Sequence, residues 1–243
     1  MKFLILLPYY HRPKIVLNAL ESIIKLKYDN FEVAFIDDSG NTNFHTQLYE
    51  YLPENLHTRV RYIPILEDGE QKNIKGGSCH GYYMNQEILR SDADVSIILC
   101  DDDALVEDYL NNLNTFYTLC TEINYAYSYV KYYDPEKEHY SKGTAIPRYS
   151  HHGSTYSLNM HILPINPYCN VDASQVTFRN KTFKEDGIRF PDRQTRGLDA
   201  ALFSQLYGRY GNCVPTLFFG EYKGAFPGQL GNRRSEFDID AKD

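Results

Sequence analysis

Three consecutive carboxylates, Asp101-Asp102-Asp103, follow directly on the apolar run Ser96-Ile97-Ile98-Leu99-Cys100. Adjacent acids repel one another, and a cation or a set of hydrogen-bond donors offsets that repulsion. Hard oxygen ligands of this kind suit magnesium or manganese. The plainer reading is an acidic turn leading into the helical pattern that opens at Leu105-Val106, because aspartate near a helix N-terminus is favourable by itself. Asp37-Asp38 stands at the end of a second apolar run, where an Asx turn is the competing role. Asp199 opens a helical pattern, where a helix cap is its plain role. His151, His152 and His161 fall in an irregular stretch with no partner carboxylate in view and read as surface histidines. The chain contains neither a Gly-x-Ser-x-Gly elbow nor a Gly-x-x-x-x-Gly-Lys-Ser/Thr loop, so serine-hydrolase and P-loop chemistry lack their residues.

These acids need elements to hold them, and hydrophobic periodicity supplies candidates. Residues 3–7, 31–36, 59–64 and 95–99 read as strands. Helical spacing is expected over 13–26, 44–52, 82–89 and 106–119. Strands alternating with helices at this interval imply βαβ units and a largely parallel sheet. In such a sheet the segments after successive strands gather on one edge, where ligands bind. That places Tyr9-Tyr10, Asp37-Asp38 and the three acids around one crevice. Beyond residue 120 the pattern changes: a tyrosine-rich strand over 125–133, loops over 134–167, a strand over 171–178, a helix over 199–207 and a short strand over 216–219. The expected organisation is a first half, 1–110, a second half of the same domain, 111–223, and a mobile tail, 224–243.

Composition narrows the function classes. At 243 residues, 42% apolar and 23% charged, the chain can bury the core of a globular α/β domain. A net charge of −7 argues against a general nucleic-acid or anionic-membrane binder, which presents a basic face. The 5 cysteines include no Cys-x-x-Cys pair, which fits free thiols in a reducing compartment. The apolar opening is too short for a signal peptide and is interrupted at Pro8, and no run reaches the roughly 20 apolar residues of a membrane span. A soluble, cytoplasmic protein is the expectation. There are 22 tyrosines and no tryptophan, and a tyrosine offers a flat face with a hydroxyl for a sugar or a base, although most such rings pack.

Four short pieces, in order, carry a resemblance. Leu7-Pro8-Tyr9-Tyr10-His11-Arg12-Pro13 resembles the opening strand and loop of family 2 glycosyltransferases, which mostly have asparagine at the position of His11. Phe35-Ile36-Asp37-Asp38-Ser39-Gly40 resembles the family's strand followed by Asp-Asp-Gly-Ser, with the last two residues exchanged. Met84-Asn85-Gln86-Glu87-Ile88 stands where the family has Ala-Arg-Asn-x-Gly, and Asp101-Asp102-Asp103 falls at its Asp-x-Asp signature. The match covers about the first 110 residues.

The resemblance implies a GT-A type, Rossmann-like α/β fold: a mostly parallel sheet flanked by helices, with a smaller irregular or antiparallel portion on the acceptor side. It implies inverting, metal-dependent transfer of a sugar from a nucleotide-diphosphate donor, UDP-linked above all, to an acceptor hydroxyl. By that similarity Asp103 is the metal ligand, with Asp101 contacting metal, ribose or donor sugar and Asp102 able to stand in for either. Asp38 accepts from a uracil-type edge, and Pro8 with Tyr9 or Tyr10 forms the wall against the base. Arg12, Gly77 and Asn85 complete the donor set. Met84 replaces an arginine, so positive charge near the diphosphate must come from Lys72, Lys75, Arg233, Arg234 or the metal. Arg196-Gly197-Leu198-Asp199 resembles the segment carrying the base, with Asp172 the second candidate. Two rivals remain: a sugar-phosphate nucleotidyltransferase, which needs a glycine-rich basic loop after the first strand, and a non-catalytic sugar- or nucleotide-binding module. A glycan, a lipid-linked sugar, a protein and a modified nucleobase are all open as acceptors.

Overall fold

The computed structural model describes residues 1–134, 139–140, 164–168, 171–194 and 197–223. β1 (Phe3–Tyr9), β2 (Phe31–Asp37), β3 (Val60–Pro64) and β4 (Val95–Ile98) are separated by α1 (Val16–Ile24), α2 (Phe44–Tyr51), α3 (Glu54–His57), α4 (Gly69–Ile74) and α5 (His80–Arg90). A two-residue β5 (Ala104–Leu105) leads into α6 (Tyr109–Leu119). Then come β6 (Tyr125–Asp134), β7 (His139–Tyr140), a 3-10 turn (Ala173–Gln175), β8 (Val176–Arg179), α7 (Lys181–Lys184), α8 (Leu198–Tyr210) and β9 (Val214–Lys223).

The strands form one sheet in the order β3-β2-β1-β4-β8-β6-β9-β5, with β7 on β6. β3, β2, β1 and β4 are mutually parallel. β8 runs antiparallel to both β4 and β6, and β5 antiparallel to β9, while β6 and β9 are parallel. The α/β class and the mixed second half thus match the expectation, and the sheet continues across residue 110 without a break.

β1 shows why these strands read as continuous apolar runs. Phe3, Ile5, Leu7 and Tyr9 face a core built with α1, α2 and α6, whereas Leu4 and Leu6 face a second core with α5, α7 and α8. Successive side chains point to opposite faces, and both faces are covered, so no position is left polar. Truncating Leu4 or Leu6 to alanine is expected to cost about 2–5 kcal/mol.

The expected elements are present with shifted ends; one changes partly in kind, one is longer, and α3, α4, β5 and α7 are additional. The strand expected over 171–178 is a strand only from Val176; Asp172 and Gln175 instead form a capping box, the Asp172 amide donating to Gln175 Oε1 at 3.0 Å. A local side chain to backbone bond competes with the ladder there. α4 was not expected; Asp68 caps it, accepting from the Gln71 amide at 2.8 Å. The final strand is ten residues long, not four, because it pairs with both β6 and β5. The tail 224–243 and His151, His152, His161, Arg196, Arg233 and Arg234 lie outside the described residues.

Candidate functional site

Parallel strands bring their C-terminal ends to one edge, and three loops meet there. Tyr9 pairs with Asp37 in the β1–β2 register, the Asp38 amide donates to the Tyr9 carbonyl at 2.9 Å, and the Leu99 amide to the Leu6 carbonyl at 2.9 Å. The Tyr10 amide donates to Asp101 Oδ2 at 3.2 Å. Between Tyr10 and Arg12 the chain turns through His11, whose φ of 48° is left-handed. Asparagine and histidine are among the residues that tolerate that region, which accounts for both the family's asparagine and the histidine found here.

This turn aims Arg12 at the acids. Its Nε donates to Asp101 Oδ2 at 3.2 Å, its Nη2 contacts Asp101 Oδ1, and its Nη1 donates to Asp102 Oδ2 at 3.0 Å. Asp101 is almost fully enclosed, and burial pushes its carboxyl up to about 7 despite the opposing pull of Arg12, with Asp102 adding to the rise. Asp101 therefore faces Arg12. Cys100, Asp102 and Asp103 form a different group, each offering one ligand atom within 4.8 Å of the others. Asp103 is buried and accepts the Ser174 hydroxyl at Oδ2, 3.0 Å away. Two carboxylates and a thiol at the mouth of a strand form a donor set able to hold a divalent cation.

The second cluster lies around Asp38. Lys72, itself buried, places Nζ 2.8 Å from Asp38 Oδ1, an ion pair without hydrogen-bond alignment, and donates to the Asp38 backbone carbonyl. The same ammonium stands 5.2 Å from the centroid of the Tyr10 ring. His80 Nε2 is 3.8 Å from Asp38 Oδ2, and burial lowers the His80 pKa, with Asp38 opposing. Asp37 is the turn residue: its Oδ1 accepts from the Ser39 amide at 2.9 Å and its Oδ2 from the Tyr62 hydroxyl.

The two tyrosines after Pro8 separate cleanly. Tyr9 is buried and stacks on Phe44 at 4.9 Å between centroids, whereas Tyr10 is 43% exposed. Pro8 is half-buried beside them. Met84 is buried in the core face of α5, so the loss of the family's arginine leaves no cation there. Asn85 commits its amide to the chain opposite: Nδ2 donates to the Phe190 carbonyl and Oδ1 accepts the Phe190 amide, both at 2.9 Å. It pins the segment leading to Arg193.

That segment closes over the start of α5. A Cβ on Gly81 would stand 1.9 Å from the Pro191 carbonyl oxygen, so only glycine permits the approach. Gln194 bonds to Ser78 through its amide at 3.1 Å. Arg193 grips Glu67 with two bonds of 2.8 Å and the Gly77 carbonyl at 3.2 Å. Lys75 adds a 2.7 Å bond, and Arg193 first, then Lys75, hold the Glu67 carboxyl down at about 2. Gly77 itself has φ of 112°.

Asp199 lies in the first turn of α8, half-buried, with Oδ1 accepting from the Ala200 amide at 2.9 Å; Gly197, at φ 70°, fills the cap position. Asp172 is buried at the 3-10 turn two residues before Ser174, the residue that holds Asp103. Cys100, Ser174, His80 and the Glu67–Arg193 pair were missed in the sequence. Cys100 adjoins the triplet and Ser174 lies within Asp172-Ala173-Ser174, so proximity was the only available signal. Glu67 and Arg193 are 126 residues apart, and nothing local links them.

No helix among the described residues is long and apolar enough to cross a membrane. The architecture is shared with TarS of S. aureus. Its 1-349 fragment in complex with UDP-GlcNAc superposes with a TM-score of 0.67 at 16% identity, over 96% of this chain and 61% of that one. The complex with UDP gives 0.64 at 16% identity over 93% and 61%. WcaA of Escherichia coli K12, named as a glycosyl transferase of colanic acid biosynthesis, is 25% identical over 146 residues, 60% of this chain and 47% of that one. The chain thus spans about half the length of that curated relative and about three fifths of the TarS fragment. The model of the family described as "Glycosyl transferase family 2" matches residues 4–187, most of the chain and both sides of the acidic edge, so the chain belongs to glycosyl transferase family 2.

Proposed function

We propose that the chain is a metal-dependent, inverting glycosyltransferase that moves a sugar from a UDP-linked donor to an acceptor hydroxyl. The observation that carries this reading is the convergence of Tyr10, Asp38 and the Cys100, Asp102, Asp103 group on one edge of the parallel sheet. The complexes of TarS with UDP and UDP-GlcNAc support the same donor class for a chain of its fold.

In this reading Tyr10 and Pro8 form the wall for the base, and Asp38, oriented by Lys72, accepts its N–H edge. Gly77 lets backbone approach the nucleotide. Asp103 and Asp102 hold manganese or magnesium, oriented by Ser174 and Arg12 respectively. The cation, when bound, neutralises charge developing on the departing diphosphate. Asp101 contacts the ribose or donor sugar from its place against Arg12. With Met84 buried in the core, Arg12 and Lys72 are two cations among the described residues that stand at this edge. Asn85 acts at one remove, by fixing the segment that carries Arg193.

Asp199 is the base. Its carboxylate takes the proton of the acceptor hydroxyl as that oxygen attacks the anomeric carbon, and the bond from that carbon to the diphosphate oxygen breaks on the opposite face. Attack from behind the leaving group inverts the centre. Asp172, beside the Ser174 that holds Asp103, is the alternative base.

The test is a thermal-shift and donor-hydrolysis screen of nucleotide sugars with manganese or magnesium, on the wild-type chain, Asp103→Ala and Asp199→Asn. Metal-dependent binding of a UDP-sugar, lost in Asp103→Ala and kept without turnover in Asp199→Asn, is the expected result. Binding without consumption in the wild type would favour a non-catalytic binding module. No shift with any nucleotide sugar and either metal would overturn the donor site.

A further inference from the structure

The carbonyl of Cys100 accepts from the Asp103 amide at 3.1 Å, which closes a four-residue turn over Cys100-Asp101-Asp102-Asp103. The turn sorts the side chains. Asp101 goes to Arg12, while Cys100 Sγ and one oxygen each of Asp102 and Asp103 come within 4.8 Å of one another. Both carboxylates are held from outside, Asp102 by Arg12 and Asp103 by Ser174. Cys100 is half-buried and not in a disulfide.

We propose that Cys100 is a direct ligand, through Sγ, of the divalent cation held by Asp102 and Asp103, and that its sulfur sets the metal preference of the site. This rests on the proposed cation binding at that cluster. Magnesium demands near-ideal octahedral oxygen ligands, whereas thiolate is a soft ligand that selects metals such as zinc. A set of two carboxylates and one thiolate therefore disfavours magnesium relative to manganese and softer divalent ions. Forming the metal–sulfur bond releases the thiol proton to solvent.

Two probes on the reduced 243-residue chain test this: cadmium, followed by the ultraviolet thiolate-to-cadmium charge-transfer band, and manganese, followed by its electron paramagnetic resonance signal. The wild type is expected to give the band with a one-to-one end point. Cys100→Ser should lose it and weaken cadmium binding at least about tenfold, the lower bound seen even for outer-shell partners. Cys120→Ser, a change at another half-buried thiol, should keep both. As a check that needs no variant, manganese should slow alkylation of Cys100 in the wild type.

Unchanged cadmium affinity and an intact band in Cys100→Ser, or an alkylation rate indifferent to manganese, would overturn the ligand role. The two readings fail differently. If manganese binds the wild type and Cys100→Ser equally but not Asp103→Ala, cation binding stands and the sulfur ligand falls. If neither ion binds the wild type, the cation site itself falls and takes this inference with it.

Discussion

Ser174 donates its hydroxyl hydrogen to Asp103 Oδ2 at 3.0 Å, across 71 residues of sequence and from a turn that belongs to the second half of the chain. The bond joins the acid at the end of the parallel sheet to the segment bearing Asp172. Ser174→Ala should leave the fold intact and loosen Asp103. A lost hydrogen bond to a charged group costs about 1.5–3 kcal/mol, and the loss of an outer-shell partner should weaken manganese binding roughly 10- to 100-fold. Manganese titration of the variant checks both the direction and the size.

Arg12 is the counter-charge for Asp101, and both side chains are largely withdrawn from water. Arg12→Ala strands a buried carboxylate, and removal of one partner of a buried pair is expected to cost about 3–5 kcal/mol. Double substitution with Asp101→Asn should cost less than the sum, because the orphaned charge is gone. Denaturant melts of the two single variants and the double variant decide it.

The Glu67 carboxyl is held at about 2 in the folded chain against 4.5 in its ordinary state, by Arg193 and Lys75. A folded-state pKa below the unfolded one means that the unfolded chain binds more protons in that window. The stability this group contributes is present above pH 4.5 and is lost as pH falls toward 2. The network sits at the surface and is screened, so its size is about 1 kcal/mol or less. Glu67→Gln should flatten that acid limb of a stability–pH curve and do little at pH values where the wild-type contribution is already lost.

Asp199→Asn should lower turnover by about 10²- to 10⁴-fold, the usual share of general base catalysis, with donor affinity unchanged. Asp172→Ala should act on stability first, since Asp172 anchors the capping box and a cap lost to alanine costs about 0.5–2 kcal/mol, whereas Asp172→Asn can still cap and should keep both stability and turnover. Turnover and melting temperature measured side by side separate the two acids. A full loss of turnover in Asp172→Asn with Asp199→Asn active would reverse the assignment.

Gly81→Ala places a Cβ 1.9 Å from the Pro191 carbonyl oxygen, a backbone atom with no rotamer to yield. Overpacking of this kind costs about 1–3 kcal/mol. The shift should also disturb the Arg193–Glu67 pair that follows in the chain, which a lower melting temperature and weaker donor binding would register together.

How much of this was legible without coordinates depended on the range of the interaction. Phe3 to Leu7 reads as a two-sided strand from residue types alone, because covering both faces leaves no polar position. The Asp101 to Asp103 cluster and Asp38 announce the edge where the candidate site lies, because parallel strands present their C-terminal ends together. Local chemistry also contained the capping box of Asp172 and Gln175, although the apolar run beside it read as strand.

Tertiary structure alone decided how the three neighbouring acids divide. Asp101 turns to Arg12, while Asp102 and Asp103 join Cys100, because one backbone turn and a left-handed His11 set their directions, and adjacency carries no direction. It separated Tyr9, packed on Phe44, from the exposed Tyr10, and it assigned Asn85 to the backbone of Phe190. It also joined Glu67 to Arg193 and Ser174 to Asp103. These partners are distant in sequence, and a hydrogen bond across a fold depends on where the sheet brings two loops, which no local pattern of residues encodes.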